Sequence, residues 1–366
     1  MTTLQDKFGT TRDEINAALI ERDTEVSLIM TAMLSHEHCL FVGLPGTAKS
    51  QMCEAMADWL DGGLFNWQLN RFTKPEELFG PFDVMGMKKG EYRRITTGKL
   101  PEAHFAIIDE VFKGSSAILN TNLRIMNERK FDNGLVTVDC PLLFMLGTSN
   151  EYPTEAKELG ALFDRFLIRK NVAHVAAHTN IKRLMFSPDL TPHLSSSLSL
   201  IELSDARDEC QALPWSTEAE EAAFDIQQKL VREGITVGGR RLRKSIAVCR
   251  SHAWLNGSTE VTTDDLDILS HMWWLQPEGQ PDVVADVVAE IARPSGLLAA
   301  QFLSEAQQIV NESDVSDLAE AAAASKKLQD TLKSCSKQCT GSRADTVVSR
   351  IEDMIRDIKM KTVESF

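Results

Sequence analysis

No apolar run in this 366-residue chain approaches the roughly 20 residues needed to cross a bilayer. The longest, LLFML at Leu142–Leu146 and GLLAAQFL at Gly296–Leu303, stop far short of it. The N-terminal stretch MTTLQDKFGTTRDEINAALIERD mixes charges of both signs and lacks an apolar signal-peptide core. The expectation is a soluble, cytoplasmic protein without a membrane partner. The seven cysteines also lack pairing: their count is odd and their spacings fit neither a disulfide framework nor a zinc ribbon. They read as free thiols, and Cys335 and Cys339, one helical turn apart, read as small packing residues. Positive charge is scarce, with 39 Lys and Arg against 53 Asp and Glu and a net charge of −14. That balance disfavours broad attraction to nucleic-acid phosphates, although one basic patch, GGRRLRK at Gly238–Lys244, stands out. No repeat of fixed period is present.

What is present is ordinary globular composition, 43% hydrophobic and 25% charged, in a chain long enough for two or three domains. Ile15, Leu19, Val26, Ile29, Met30 and Met33 recur at near-helical intervals and predict one or two amphipathic helices first. Strand and helix signals then alternate: CLFVGL, FNWQLN, HFAIIDEV and PLLFMLGTSN read as strands, KSQMCEAMADWL and SSAILNTNLRIMNE as helices. Continuous apolar strands separated by helices imply an α/β fold with a parallel sheet covered on both faces. From about residue 180 helical patterns dominate, including EAEEAAFDIQQKLVRE, RLRKSIAVCRSHAWL and TTDDLDILSHMWWL behind a threonine cap. The Pro/Gly breaker QPEGQPD, Gln276–Asp282, suggests a boundary. The expected domains are therefore an α/β core over 1–180, a helical domain over 181–277 and a helical C-terminal extension over 278–366. In the last, Val347, Ile351, Met354, Ile355 and Ile358 form an apolar stripe.

The stretch FVGLPGTAKSQM places a strand end, a glycine-bearing turn, a lysine and a serine in the order of a phosphate-binding loop. Such a loop needs inward N–H groups, glycines where the backbone nears oxygen, and a helix N-terminus. Gly43, Leu44, Pro45, Gly46, Thr47, Ala48, Lys49, Ser50 and Gln51 are the predicted cradle. Lys49 would reach the β- and γ-phosphates of ATP, and Ser50 would ligate Mg²⁺. Ala48 stands where glycine is usual, and it is expected to lie in helical backbone, which alanine tolerates. HFAIIDE is a buried strand ending in Asp109 and Glu110, a pair too costly to be core residues. At the carboxyl end of a parallel strand, Asp109 would hold Mg²⁺ and Glu110 would polarise the attacking water. Asn150, ending the strand PLLFMLGTSN, suits a residue orienting water against the γ-phosphate; alone it would read as an Asx-turn residue. HEHC, His36–Cys39, hints at metal ligation and equally reads as polar surface.

With these pieces in place the sequence resembles the MoxR family of AAA+ ATPases, particularly its RavA-like branch. The matching residues are GLPGTAKS, with alanine before the lysine, RFTKPEELFGP at Arg71–Pro81, the block YRRITTGKLPEAHFAIIDEVFKGSSAILNTNLRIMNERKF at Tyr92–Phe131, and GTSNEYP at Gly147–Pro153. The resemblance implies an AAA+ P-loop core with a helical lid, ATP hydrolysis, and a homo-oligomeric, hexameric ring. It implies that Arg165, in ALFDRFLIR, is an arginine finger on the neighbouring subunit's nucleotide, with Arg169 the weaker candidate and an ion pair with Asp164 or Glu158 the plain alternative. In TVGGRRLRKSIAVCR it implies a sensor arginine, Arg240 or else Arg241, on the γ-phosphate of the subunit's own nucleotide. Ile20 and Glu21 fall where adenine is held, and residues 82–99 with the hairpin KFDNGLVTVDCP fall where relatives carry pore-facing insertions. The implied partners are a client protein complex and a protein with a von Willebrand factor A domain. The rival readings are a nucleic-acid-directed AAA+ motor, which the acidic balance disfavours, and a nucleotide-binding scaffold without hydrolysis, which the Asp109–Glu110 pair disfavours.

Overall fold

A computed structural model describes residues 3–152, 156–292, 295–312, 318–339 and 342–364. Helix α1 (Leu4–Ala18) opens on a capping box in which Thr3 and Asp6 satisfy each other's backbone N–H. α2 (Asp23–Ser35) is apolar on nearly every side and buried accordingly; it lies between the sheet and the later helices. The chain turns at His36, in the left-handed region, into β1 (Cys39–Val42) and then α3 (Lys49–Trp59). There follow β2 (Leu60–Asp61), β3 (Leu64–Gln68), the short helices α4 (Pro75–Phe79) and α5 (Val84–Met87), β4 (Phe105–Asp109) and α6 (Ser116–Glu128). The hairpin β5 (Lys130–Asn133) and β6 (Val136–Asp139) precedes β7 (Phe144–Ser149), α7 (Ala156–Arg165) and β8 (Ile168–Asn171).

Five strands make one parallel sheet in the order β3-β4-β7-β1-β8. Because β1 lies between β7 and β8, the connections leaving it diverge and open a crevice at the carboxyl ends of the central strands. The expected strands and the hairpin are all there. β8 is an additional strand: Ile168 alone is apolar within it, and its register is set by pairing Cys39 with Ile168 and Val42 with Asn171.

Beyond the sheet come α8 (His178–Phe186), β9 (Leu198–Ser199, paired with β2), α9 (Leu200–Ala212), α10 (Thr217–Arg232) and α11 (Gly239–Leu255). The stretch Thr263–His271, behind the Thr262 capping box, winds as a 3-10 helix. α12 (Gln280–Ala292) packs on α10 and on this 3-10 helix, and Val284, Val287, Val288 and Ala292 join the main core. The break at Gln276–Asp282 is thus a turn inside a helical unit, and we place that unit's end after α12. The helices α13 (Ser295–Glu312), α14 (Leu318–Gln338) and α15 (Ser342–Glu364) enclose a separate core containing Leu328, Cys335, Cys339, Val347, Ile351, Ile355 and Ile358. Among the described residues no helix is long and apolar enough to cross a membrane.

β7 is buried along its whole length, and at Gly147 the fold leaves no room for a side chain: a Cβ there would meet the Phe166 ring at 2.6 Å. Gly147→Ala should lower the melting midpoint, with a cost of about 1–3 kcal/mol from overpacking. An unchanged midpoint would contradict the packing of Phe166 beneath β7.

Candidate active site at the carboxyl ends of the sheet

The loop after β1 is shaped by close approach. A Cβ on Gly43 would lie 2.3 Å from the Val172 carbonyl oxygen beyond β8, so only glycine fits, and Gly46 has a φ of 80°. Ala48 departs from the expectation of helical backbone. It is the N-cap of α3, with φ 61° and ψ 20°, in the left-handed region that costs a non-glycine residue about 1–2 kcal/mol. Alanine here therefore stores strain in the loop. Thr47 closes the turn by donating its hydroxyl to the Leu44 carbonyl at 3.0 Å. Arg22, which sequence reasoning did not single out, donates to the Thr47 carbonyl at 3.1 Å and to the Ala173 carbonyl at 2.7 Å, tying the loop to the chain beyond β8. Nothing in its local sequence signals this role.

Lys49 is buried, and its ammonium donates to the Gly43 carbonyl at 2.5 Å and the Leu44 carbonyl at 3.0 Å. It also lies 3.5 Å from Asn150 Oδ1. Burial pushes the Lys49 pKa down, against the upward pull of Asp109 and Glu110. A desolvated ammonium beside the first N–H groups of α3, which have no partner within the helix, suits an anion, and its carbonyl partners can be exchanged for phosphate oxygens. The Ser50 side chain lies outside the described residues. Gln51 lines an open cavity of about 430 Å³ with Glu54, Asp58, Thr191 and His193.

The acids stand beside this loop because β4, β7 and β1 are parallel and adjacent. Asp109 ends β4, and its Oδ1 accepts hydrogen bonds from the Thr148 hydroxyl and from the Glu110 N–H at 3.1 Å. Glu110 follows at φ 54°, a second strained non-glycine residue. Its side chain is buried, Oε1 accepts from Asn150 Nδ2, and Oε2 lies 3.2 Å from the Lys113 ammonium. Oε2 is buried without a hydrogen bond among the described residues. Asn150 therefore bridges Lys49 and Glu110. Lys113, also unmarked in the sequence reading, closes the other side. The donor set fits the implied nucleotide and metal: N–H groups and an ammonium for phosphates, and a carboxylate at Asp109 for Mg²⁺, which keeps few protein ligands when phosphates supply the rest.

The arginines lie elsewhere. Arg165 ends α7, 3.5 Å from Asp164, with its Nε buried and without a hydrogen bond among the described residues; the Glu158 side chain lies outside them. Arg169 is withdrawn from any finger role. It is 1% exposed, sandwiched by the Phe163 and Trp274 rings at 4.5 and 4.4 Å, and donates to the Met272 and Trp274 carbonyls. Arg240 donates to Asn127 Oδ1 at 2.8 Å. Arg241 is buried and donates to the Leu167 and Met272 carbonyls and to Asp164 at 2.8–2.9 Å. Lys244 pairs with Glu37 at 2.5 Å. Glu37 precedes β1 and Leu167 precedes β8, so this basic cluster borders the amino ends of the strands. The phosphate loop leaves the carboxyl end of β1, roughly 13 Å away at about 3.3 Å per residue. The expectation that Arg240 or Arg241 touches the γ-phosphate of its own subunit is corrected on that ground, and Arg241 is further committed to holding the helical unit on the sheet. Arg165, Arg240, Arg241 and Lys244 instead share one small cavity of about 80 Å³.

Two other candidates prove structural. Glu21 accepts from the Ala176 and Ala177 N–H groups and from Asn180, at 2.9–3.0 Å, so it caps the start of α8; Ile20 is buried. Of the histidines in HEHC, His36 is exposed, whereas His38 is not polar surface: it is 3% exposed and its Nδ1 accepts from the Met145 N–H at 3.0 Å. Burial holds His38 well below its ordinary pKa, with Arg129 adding to the effect. No group of three or more metal-ligating side chains occurs among the described residues.

With that geometry established, the comparisons with known proteins are informative. A family model described as the MoxR domain in MoxR-vWA-beta-propeller ternary systems matches residues 6–190, and an AAA lid domain model matches 219–287. An uncharacterised protein of Methanocaldococcus jannaschii is 36% identical over 303 residues, covering 82% of this chain and 79% of that protein. The chaperone MoxR1 of Mycobacterium tuberculosis is 24% identical over 199 residues, covering 52% of each. The crystal structure of a candidate ATPase from Cytophaga hutchinsonii superposes with a TM-score of 0.63 at 18% identity, over 80% of this chain and 94% of that one, a likeness of fold alone. These matches say nothing of the RavA-like branch.

Ala48→Gly relieves the left-handed strain and should raise stability by up to about 1 kcal/mol, less the greater freedom of glycine in the unfolded chain. A thermal melt checks this, and ATP turnover should stay near wild type. A lower midpoint would mean that the Ala48 methyl packs rather than strains.

Proposed function

The chain belongs to the MoxR family of AAA+ ATPases, and from that premise we propose that it hydrolyses ATP at sites shared between the subunits of a ring, using the cycle to remodel a protein complex. The observation that carries the reading is the chain of contacts from Lys49 through Asn150 to Glu110, placed at one sheet edge beside the strained loop. The γ-phosphate of a bound ATP competes for the Lys49 ammonium and the Asn150 amide. Loss of Asn150 frees a Glu110 oxygen to take a proton from a water, while the water oxygen bonds to the γ-phosphorus and the bond to the β-phosphate oxygen breaks, giving ADP and phosphate. Asp109, with Ser50 as the motif implies, would hold Mg²⁺, which would supply charge neutralisation at the phosphates.

The ring is inferred from what one subunit lacks. The Arg165 cluster borders the opposite ends of the strands from the subunit's own phosphate loop, so its fixed charge can serve only a neighbour's nucleotide. Arg240 joins it there rather than acting in its own subunit. A hexamer is the stoichiometry the family resemblance gives. The description of the matched MoxR domain supports a von Willebrand factor A domain protein as partner, and the chaperone name of the mycobacterial relative supports a protein client. The paired insertions over residues 82–99 and 130–139 are joined by mutual hydrogen bonds between Asn133 and Arg94, and they present a fully exposed Leu135 towards such a client.

Phosphate release tests the site. Glu110→Gln should bind ATP and lose turnover, Lys49→Ala should lose binding, and Asn150→Ala should lower kcat by roughly 10²-fold; equal background rates in wild type and Glu110→Gln would end the hydrolase reading. Sharing is tested by mixing inactive Arg165→Ala with inactive Glu110→Gln. Recovery of activity is expected, since the second variant lends its Arg165 to the first variant's intact Glu110. A mixture that stays inactive, although Arg165→Ala alone assembles, would count against a finger acting between subunits.

A further inference from the structure

Two features have exposed apolar surfaces that nothing among the described residues covers. The first is an open groove of about 610 Å³ between α10, α11 and the 3-10 helix, walled by Trp215, Phe224, Leu242, Ile246 and Trp273. Phe224 is 63% exposed and Ile246 45%. The groove walls also hold two donors, Trp215 Nε1 and Arg250 Nε, that are buried without a hydrogen-bond partner among the described residues. Unsatisfied donors of this kind call for an occupant with acceptors. The second feature is α8, which buries none of its side chains. Ile181, Leu184 and Met185, at helical spacing, form one apolar face, and Phe186 extends it at the helix end.

We infer that α8 of one subunit docks into this groove on the helical unit of its neighbour. Charge complementarity selects this occupant. α8, HTNIKRLMF, has Lys182 and Arg183 and no acid, whereas the exposed first half of α10 at the groove edge has Glu218, Glu220, Glu221 and Asp225. Hydrogen bonding points the same way: the last carbonyls of a helix have no intrahelical partner, so the end of α8 brings acceptors to Trp215 and Arg250. Within its own chain α8 is anchored elsewhere, by Asn180 on Glu21 and Arg183 on the Ala17 carbonyl, and it has no extensive packing on α10 or α11. The contact joins the sheet side of one subunit to the lid of the next. Each lid movement therefore reaches the neighbouring core directly.

The inference rests on the ring reading, and one set of measurements separates the two. Sedimentation of the full chain with ATP and Mg²⁺ gives the assembly concentration. Leu184→Asp should raise it by about tenfold or more, as for a buried apolar anchor. Lys182→Glu should raise it too, and adding Glu221→Lys should restore it. The described native cysteines are buried, so a short bismaleimide should join Met185→Cys to Phe224→Cys subunits only when the two variants are mixed. A wild type that assembles while the mixed variants fail to crosslink and Leu184→Asp assembles normally overturns the α8 contact and leaves the ring standing. A wild type that remains monomeric with ATP overturns both. Crosslinking of Phe224→Cys to an added von Willebrand factor A domain protein in place of α8 assigns the groove to that partner and likewise overturns the inference.

Discussion

The in-register parallel pairing of β1 with β7 is the constraint on which the site depends. Val42 lies opposite Ser149, so the residues that follow, the loop from Gly43 and the amide of Asn150, leave the sheet at the same level. β4 pairs with β7 on the other side, Ile108 opposite Gly147, which brings Asp109 and Glu110 to that level as well. A parallel ladder permits this because every strand ends at the same edge. Shifting β7 by one residue would exchange its two faces, turning the Thr148 hydroxyl away from Asp109 and separating Asn150 from Glu110. The buried strand is thus both core and jig.

On that edge the backbone is held in costly conformations at the two positions where chemistry is expected. Ala48 and Glu110 are both left-handed, and each sits where the chain must turn abruptly from a strand end or loop into a helix. Such strain persists only where surrounding contacts over-determine it. Here they are visible: Arg22 and Thr47 brace the loop, while Asp109 and Asn150 brace the acid. The same contacts desolvate Lys49 and Glu110, which sharpens their response to an incoming phosphate.

Much of this was legible in the residues. Apolar runs ending in a glycine turn, in Asp109–Glu110 and in Thr148-Ser149-Asn150 announce a parallel sheet with a candidate phosphate site, because strands buried on both faces read as continuous apolar runs and acids ending them do not belong in a core. What was not legible depends on tertiary contact. β8 escaped because Arg169 and Lys170 break its apolar pattern, and Arg169 is accommodated by the nearby Phe163 ring together with the ring and carbonyl of the distant Trp274 and the Met272 carbonyl. The left-handed state of Ala48 escaped because local preference favours helix for alanine, and only the loop's closure overrides it. Arg22 and Lys113 carry no motif. Arg240 and Arg241 were recognisable as a basic cluster, but which end of the sheet they border depends on how the helical unit is docked.

That docking decides how the two ends communicate. Arg241 grips the Leu167 and Met272 carbonyls together, and Arg169 grips Met272 and Trp274, so the segment after the 3-10 helix is stapled to the edge strand β8. Tyr152, two residues beyond Asn150, packs its ring against Phe163 and Trp274 and donates its hydroxyl to Asn171 at the end of β8. If a γ-phosphate displaces Asn150, as proposed, the movement would meet, within two residues, an aromatic contact already shared with the helical unit. Packed aromatic and arginine layers do not yield gradually; they move as blocks. On the proposed reading the helical unit is the element that nucleotide state would displace, and the arginine cluster at its base is what that displacement would present to, or withdraw from, a neighbouring subunit.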